Sequence, residues 1–524
     1  MDKKTSKDDL FPAVTEKSNP QSSYNEHPGT TTDEEAQSIP SGQDGSPPLL
    51  QMRVSKTKGV GVITTLAGIN FLNTMGSGIL IAALPRIAKD VGLSTTVYAL
   101  AAGCLLHVFG SFADILGPKR VWVVGSFLFV VFTVALGFSV TGIQVIMFRT
   151  CLGIAMAMCL PTSVSLITNT FPKGHWRNTA FAMSGMAQPL GYALGLVLGG
   201  IFTDTIGWRW AYWIMAMVNF VISVISVWSL PDVRHPSKKT WARRLREDVD
   251  WVGVLILSVA LALLMYVLAM ITSDWRNVKK PAQIVLLVVS ILLLVAFPLW
   301  MRRQVQVGKP ALIPNRLWRK ASFTSACLCV FFCWSSLNGI EYFTTLGPGL
   351  IGSLQSSIRY FSQIVMGTSV NIVLVYIISR VKVITLVVVS TCITLISPAL
   401  MATVGELENY WFRPFWALFL CPVNPWVLFS VSNLLISDAF PAEIQSLAGG
   451  VFNEVAQFGN AVGLAVTAAI AASVTEHSNA EGKTATMDGY RAAFWTIFAS
   501  SATVLIISIV GMRRVGTIGK TEKD

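Results

Sequence analysis

Five ionisable side chains fall inside long apolar runs of this sequence, away from the ends of those runs: His107, Arg149, Glu341, Arg359 and Glu454. In hydrocarbon each is expensive, so each is expected to face a central cavity or a partner and to mark a path for an ion or a solute. Glu341, in SSLNGIEYF, is the first choice for a carboxyl that loads and releases a proton; the alternative is a glutamate nearer the outer interface. Arg149 reads either as a functional cation or as a structural arginine bonded to backbone carbonyls. His107 titrates in the physiological range by type, or serves as a hydrogen-bonded structural residue. Beside Glu454, Asn453, Gln457 and Asn460 fall at i, i+4 and i+7, one polar stripe on a helix that either lines a solute path or bonds to neighbouring helices. Gln188, Asn338 and Tyr342 complete the residues expected along such a path. Trp334, Tyr342 and Phe343, near Glu341, offer stacking faces for a flat substrate, or face lipid.

The elements that carry these residues follow from composition. Of 524 residues, 53% are hydrophobic and 13% are charged, about half the charge of an ordinary soluble domain. The apolar runs come in pieces of about 20 residues, the length a helix needs to cross roughly 30 Å of hydrocarbon. The expected fold class is therefore an all-α polytopic membrane protein. A net charge of +12 is spread through short loops, which argues for membrane topology and against nucleic acid. All eight cysteines lie in apolar runs without CxxC spacing, as small buried residues and not as disulfides or metal ligands. No cofactor, metal or nucleotide is expected.

Residues 1–55 are rich in Ser, Thr, Pro and mixed charge and are expected to be a disordered cytoplasmic tail without a cleavable leader. Spans are expected at 60–84, 94–113, 121–140, 143–171, 179–203, 211–230, 250–271, 282–300, 321–346, 357–378, 381–403, 411–436, 447–474 and 490–511, about fourteen in all. With the N-terminus inside, most lysines and arginines fall in cytoplasmic segments, so both termini are expected there. Two basic loops, near 231–249 and 302–320, bracket an inserted helix pair. The chain then divides into a first six-helix half (56–230), the basic loops with that pair (231–320), a second half (321–511) and a short cytoplasmic tail (512–524). Two such halves suggest a secondary transporter with its site near midplane.

Particular stretches sharpen this. In GSFADILGPKR, Gly117 and Pro118 force a tight turn between Asp114 and the pair Lys119–Arg120. IMFRTCLG carries the arginine at position 149, and GYALGLVLGG repeats glycine every fourth residue at Gly191, Gly195 and Gly199, with Gly200 adjoining, a spacing that lets helices approach closely. GWRWAYW follows at 207–213. Together these resemble the major facilitator superfamily, and within it the fungal fourteen-helix drug:proton antiporters. Gly110, Asp114, Gly117 and Lys119 match the family's loop signature, whose role implied for this chain is a conformational hinge that also includes Arg120; the glycine repeat matches the fifth-helix motif of exporting branches. GSLQSSIR and FPAEIQSLAGGVFNEVAQFGNAVGLA resemble later blocks of the same branch.

The sequence also departs from that pattern. Where many relatives carry LDxTIVxxALP in the first helix, this chain reads MGSGILIAALP, with Gly76 and Gly78 at the Asp and Thr positions. Ile115 and Pro118 replace usual arginines, Leu196 replaces a proline, and the second helix looks short at its outer end. An ATP-driven pump lacks its GxxxxGK[ST] loop here, and the five histidines are too scattered for a membrane enzyme. The resemblance implies a monomeric secondary transporter in the plasma membrane, or alternatively the vacuolar one, exporting a small organic molecule such as a fungal secondary metabolite in exchange for protons. A low-affinity ammonium or borate transporter and a non-transporting sensor are the alternatives.

Overall fold

The computed structural model describes residues 55–91, 117–232, 249–346 and 353–518, apart from loop positions 173, 310, 314, 316, 406–407, 442–443, 479, 481 and 514. The expected tail, the expected span at 94–113 and three of the singled-out residues, His107, Gly110 and Asp114, lie outside the described residues.

Among those residues eleven helical stretches are long and apolar enough to cross a bilayer, and the chain is an all-helical, multi-pass membrane protein. In order, the helices are α1 (Lys56–Val91), α2 (Pro118–Gly137), α3 (Gly142–Thr170), α4 (His175–Asp204) and α5 (Trp208–Ser229); α6 (Trp251–Ser273) and α7 (Pro281–Gln306), joined by a short 3₁₀ turn at Trp275–Lys279; then α8 (Ala321–Leu346), α9 (Ser353–Ile377), α10 (Val383–Ala402), α11 (Arg413–Leu420), α12 (Val423–Ala439), α13 (Gln445–His477) and α14 (Lys483–Gly511).

Local chemistry sets several boundaries. Pro118 is the first residue of α2, where its missing N–H costs nothing, and Gly117 precedes it at φ 94°, a conformation that suits glycine. Thr141 and Gln144 form a reciprocal capping box at the start of α3. The Asp250 side chain accepts from the Gly253 N–H at 2.9 Å and from Trp300 Nε1 at 3.1 Å, which caps α6 and ties it to α7. The run expected as one span at 411–436 bends at Cys421–Pro422 into α11 and α12. Thr394 serves the broken backbone there: its hydroxyl donates to the Leu420 carbonyl and accepts from the Asn424 N–H.

Alternation of the helices defines two ends of the bundle. The starts of α1, α2, α4 and α8 and the ends of α3, α5, α7 and α12 share one, here the Arg177 end; the other is the Glu476 end. Helices α1 to α5 pack on one another, as do α8 to α14, and two seams join the sets: α4 against α9 and α3 against α13. The pair α6–α7 docks on α13, through Leu264, Leu268 and Ala465 and through Arg276, whose guanidinium meets Glu476 at 2.6 Å.

Helices α1 and α4 approach each other closely. A Cβ at Gly191 would stand 2.1 Å from the Phe71 carbonyl oxygen, at Gly195 2.1 Å from that of Met75, and at Gly199 2.7 Å from Ile79 Cα. Backbone meets backbone along the whole repeat, as the four-residue spacing predicts. Gly200 is different: nothing stands within 4 Å of its Cβ position, so it takes no part in the stripe. Of the seven described cysteines all are free thiols; five are buried, whereas Cys151 is half-buried and Cys392 is exposed, so burial does not extend to every cysteine as the sequence suggests.

Candidate substrate and proton site

Arg149 sits two turns into α3, where its guanidinium Nη2 donates to the Gly76 carbonyl at 2.7 Å and to the Tyr212 hydroxyl at 2.6 Å, and lies 5.4 Å from the Tyr212 ring centroid. It therefore bridges α1, α3 and α5. The acceptor at Gly76 is a backbone carbonyl, which matches the structural reading of Arg149 as a carbonyl-bonded arginine. Gly78 has a separate reason to be small, since a Cβ there would lie 2.3 Å from the Tyr192 carbonyl oxygen.

Glu341 lies on α8, five residues before its last residue and so about 7 Å from the Glu476 end of that helix. That is nearer one interface than midplane. Its Oε1 accepts from Gln363 Nε2 of α9 at 2.5 Å. The carboxyl is also within electrostatic reach of Tyr192, from α4, and Cys421, at the bend before α12. Residues of both helix sets thus converge on it. Phe343 is buried and packs its ring on Tyr342, Tyr490 and Phe494, with centroids 5.2, 5.4 and 6.0 Å away, whereas Tyr342 is half-buried.

Deeper along α8, Trp334 meets Trp426 of α12 edge to face at 6.0 Å. Each stands thirteen residues from the Arg177 end of its helix, about 20 Å by helical rise. Both indole nitrogens are buried and lack a hydrogen-bond partner among the described residues. Trp426 Nε1 lies against Gly367 of α9, and Pro189 of α4 closes the other side, where a Cβ on Gly367 would sit 2.8 Å and 3.4 Å from the two. One position earlier on α4 is Gln188, half-buried. Nearer the Arg177 end of this seam, Gly185 faces Asn371, whose carbonyl oxygen accepts from Ser430 at 3.3 Å.

The polar stripe of α13 divides in two. Asn460 accepts from Asn338 of α8 and donates to Gln457 at 3.1 Å, so three of the residues expected along the path form one chain of hydrogen bonds. Asn453, by contrast, is buried and donates to the Gly449 carbonyl of its own helix at 2.8 Å, with Glu454 buried beside it.

At the Arg177 end polar contacts to α12 also tie the two sets, from α4 and from α3. The buried Arg177 meets Asp438 at 3.2 Å, and the Thr168 and Ser437 hydroxyls lie 3.0 Å apart. Lys119 and Arg120 begin α2 at this same end, after the left-handed turn at Gly117. Gln363, Tyr192, Trp426 and the Arg177–Asp438 pair went unremarked in the sequence. Trp426 had a local signal, an Asn-Pro-Trp triplet inside an apolar run; the others are ordinary residues whose meaning comes from the helix opposite.

Residues 66–464 match the sequence profile described as Major Facilitator Superfamily. The chain belongs to that superfamily. Major facilitator relatives include the MFS-type transporter 1 of Pyricularia oryzae, 42% identical over 92% of this chain and 88% of that one. More distant are the low affinity ammonium transporter of Saccharomyces cerevisiae, 24% identical over 78% of each chain, and the multidrug transporter mdr3 of Aspergillus fumigatus, 24% identical over 79% of this chain and 70% of that one. Among solved structures, the human organic anion transporter MFSD10 superposes with a TM-score of 0.58 over 88% of this chain and 100% of the other, at 14% identity. That likeness speaks for the major facilitator fold alone.

Proposed function

We propose that this chain is a proton-coupled exporter of a small, flat organic molecule, with Glu341 as the proton carrier and the Trp334–Trp426 pair as the substrate seat. The observation that carries the reading is the position of Glu341, a carboxyl on α8 held by Gln363, with Tyr192 from the other set of helices packed on the cluster of Leu337, Ile340 and Phe343 around it. A proton bound there changes the charge at the junction of the two halves, and so biases which way they rock. The two indole N–H groups supply donors without a partner among the described residues, together with apolar faces, which suits a planar solute bearing hydrogen-bond acceptors. On this reading the two halves are 56–230 and 321–511, both termini are cytoplasmic, and the membrane is the plasma membrane. The hinge comprises Gly117, Lys119 and Arg120, with Gly110 and Asp114 completing it.

The 24% identical ammonium transporter favours a second reading, transport of a small cation. Efflux from sealed vesicles, with a panel of planar aromatic metabolites, methylammonium and borate, separates them. The proposal expects an imposed pH gradient to accelerate an aromatic solute and leave methylammonium unchanged. Acceleration of methylammonium alone supports the second reading, and no flux of any solute contradicts both.

A further inference from the structure

A cleft of about 1080 Å³ opens at the Arg177 end, between the last turn of α7, the connection that follows it and the start of α13. Arg302, Lys309, Arg319 and Lys320 line it, with Phe440 and Ile444 among its apolar walls. No carboxylate lines it among the described residues; Glu443, in the connection between α12 and α13, lies outside them. One cation is already engaged: Lys320 Nζ donates to the Ala439 carbonyl and sits 4.7 Å from the Phe440 ring centroid. The other three side chains are exposed.

Two features say what such a cleft would take. Three separated cations beside an apolar wall match a phosphate-bearing group that also carries a greasy part. The second feature is the approach. Leu292, Val295 and Leu299 are 62%, 57% and 63% exposed, and they lie on one face of α7 that continues through Arg302 to Gln306, both of which line the cleft. The spacings of three, four, three and four residues keep all five within about a quarter-turn of one another. An apolar stripe that should face hydrocarbon therefore runs straight into a basic recess at the membrane surface.

We propose that this cleft binds the phosphate headgroup of an anionic phospholipid, with an acyl chain lying along the Leu292–Val295–Leu299 stripe. The lipid would then bridge α7, of the inserted pair, and the Phe440–Ile444 connection between α12 and α13. Nothing in the transport reading requires this, and its failure leaves that reading intact.

The test uses the full chain in nanodiscs of phosphatidylcholine, with or without phosphatidylinositol, read by thermal unfolding and by lipid retained in native mass spectrometry. Phosphatidylinositol should raise the unfolding midpoint and survive as an adduct. The R302Q/R319Q variant should lower its retention on the order of thirtyfold, roughly five- to sixfold per cation near the surface. R380Q/K382Q removes two exposed cations outside the cleft and should change retention little. Equal retention in wild type and R302Q/R319Q, or equal losses in both double variants, overturns the proposal. Inorganic phosphate alone reproducing the midpoint shift also overturns it, by making the occupant a soluble phosphate.

Discussion

The Arg149 guanidinium donates to the backbone carbonyl of Gly76 on α1, 2.7 Å away. The same nitrogen reaches the Tyr212 hydroxyl, so one side chain holds three helices. A lysine keeps the charge but not the planar, multi-donor fork. Arg149→Lys should insert and fold yet lose stability by about 2 kcal/mol, the scale of a charged hydrogen bond, and transport should fall at least tenfold. Unchanged thermal stability and flux together would show that neither contact matters.

The glycine repeat makes a contrast that needs only two variants. Gly195→Ala drives a methyl into the Met75 carbonyl with no flexible neighbour to yield, whereas Gly200→Ala meets open space. The first should lower the folded yield in detergent or cost more than the usual 1–3 kcal/mol of overpacking, and the second should be neutral. Size-exclusion profiles and melting curves measured in parallel decide it; equal behaviour of the two variants speaks against the α1–α4 packing described above.

Arg177 and Asp438 tie the two helix sets at one end. Because Arg177 is buried, Asp438→Asn leaves a charge without its counterpart, at a cost of about 3–5 kcal/mol to the closed seam. Transport should drop more than tenfold, and the exchange Arg177→Asp with Asp438→Arg should recover a measurable part of it. An exchange no better than either single variant would mean that the pair has no role in closing this end.

Trp426→Phe removes an indole N–H that has no partner among the described residues, so the folded state should lose little. If the indole meets substrate, KM should rise by roughly fivefold, about one hydrogen bond, while the maximal rate holds. A stability loss with unaltered KM would return Trp426 to a packing role.

Much of the scaffold was legible because hydropathy and helix length are local properties. The runs at 143–171, 282–300 and 490–511 correspond to Gly142–Thr170, Pro281–Gln306 and Lys483–Gly511. The bend at Pro422 was not legible, since the apolar run continues through it and the groups that serve the break, Thr394 among them, come from another helix. Site residues divide the same way. A lone glutamate in an apolar run announces Glu341, but Gln363, which holds it, and Tyr192, which packs on the cluster around it, are unremarkable on their own helices. The α13 stripe reads as one feature from periodicity; packing separates Asn453 and Glu454, both buried, from Gln457 and Asn460, linked to Asn338. Gly78 reads as a departure from a family pattern until α4 is seen 2.3 Å from its missing side chain.

The central claim is that Glu341 carries the coupled proton, and the most direct measurement is proton movement itself. Protein reconstituted in liposomes containing a pH-sensitive dye would be given a transported solute with no imposed gradient. Glu341→Gln keeps the size of the side chain and a hydrogen bond to Gln363 but cannot cycle a proton. The account predicts a solute-evoked pH change in wild type and none in Glu341→Gln, with solute exchange at equal pH retained in both; a pH change of wild-type size in Glu341→Gln would contradict it.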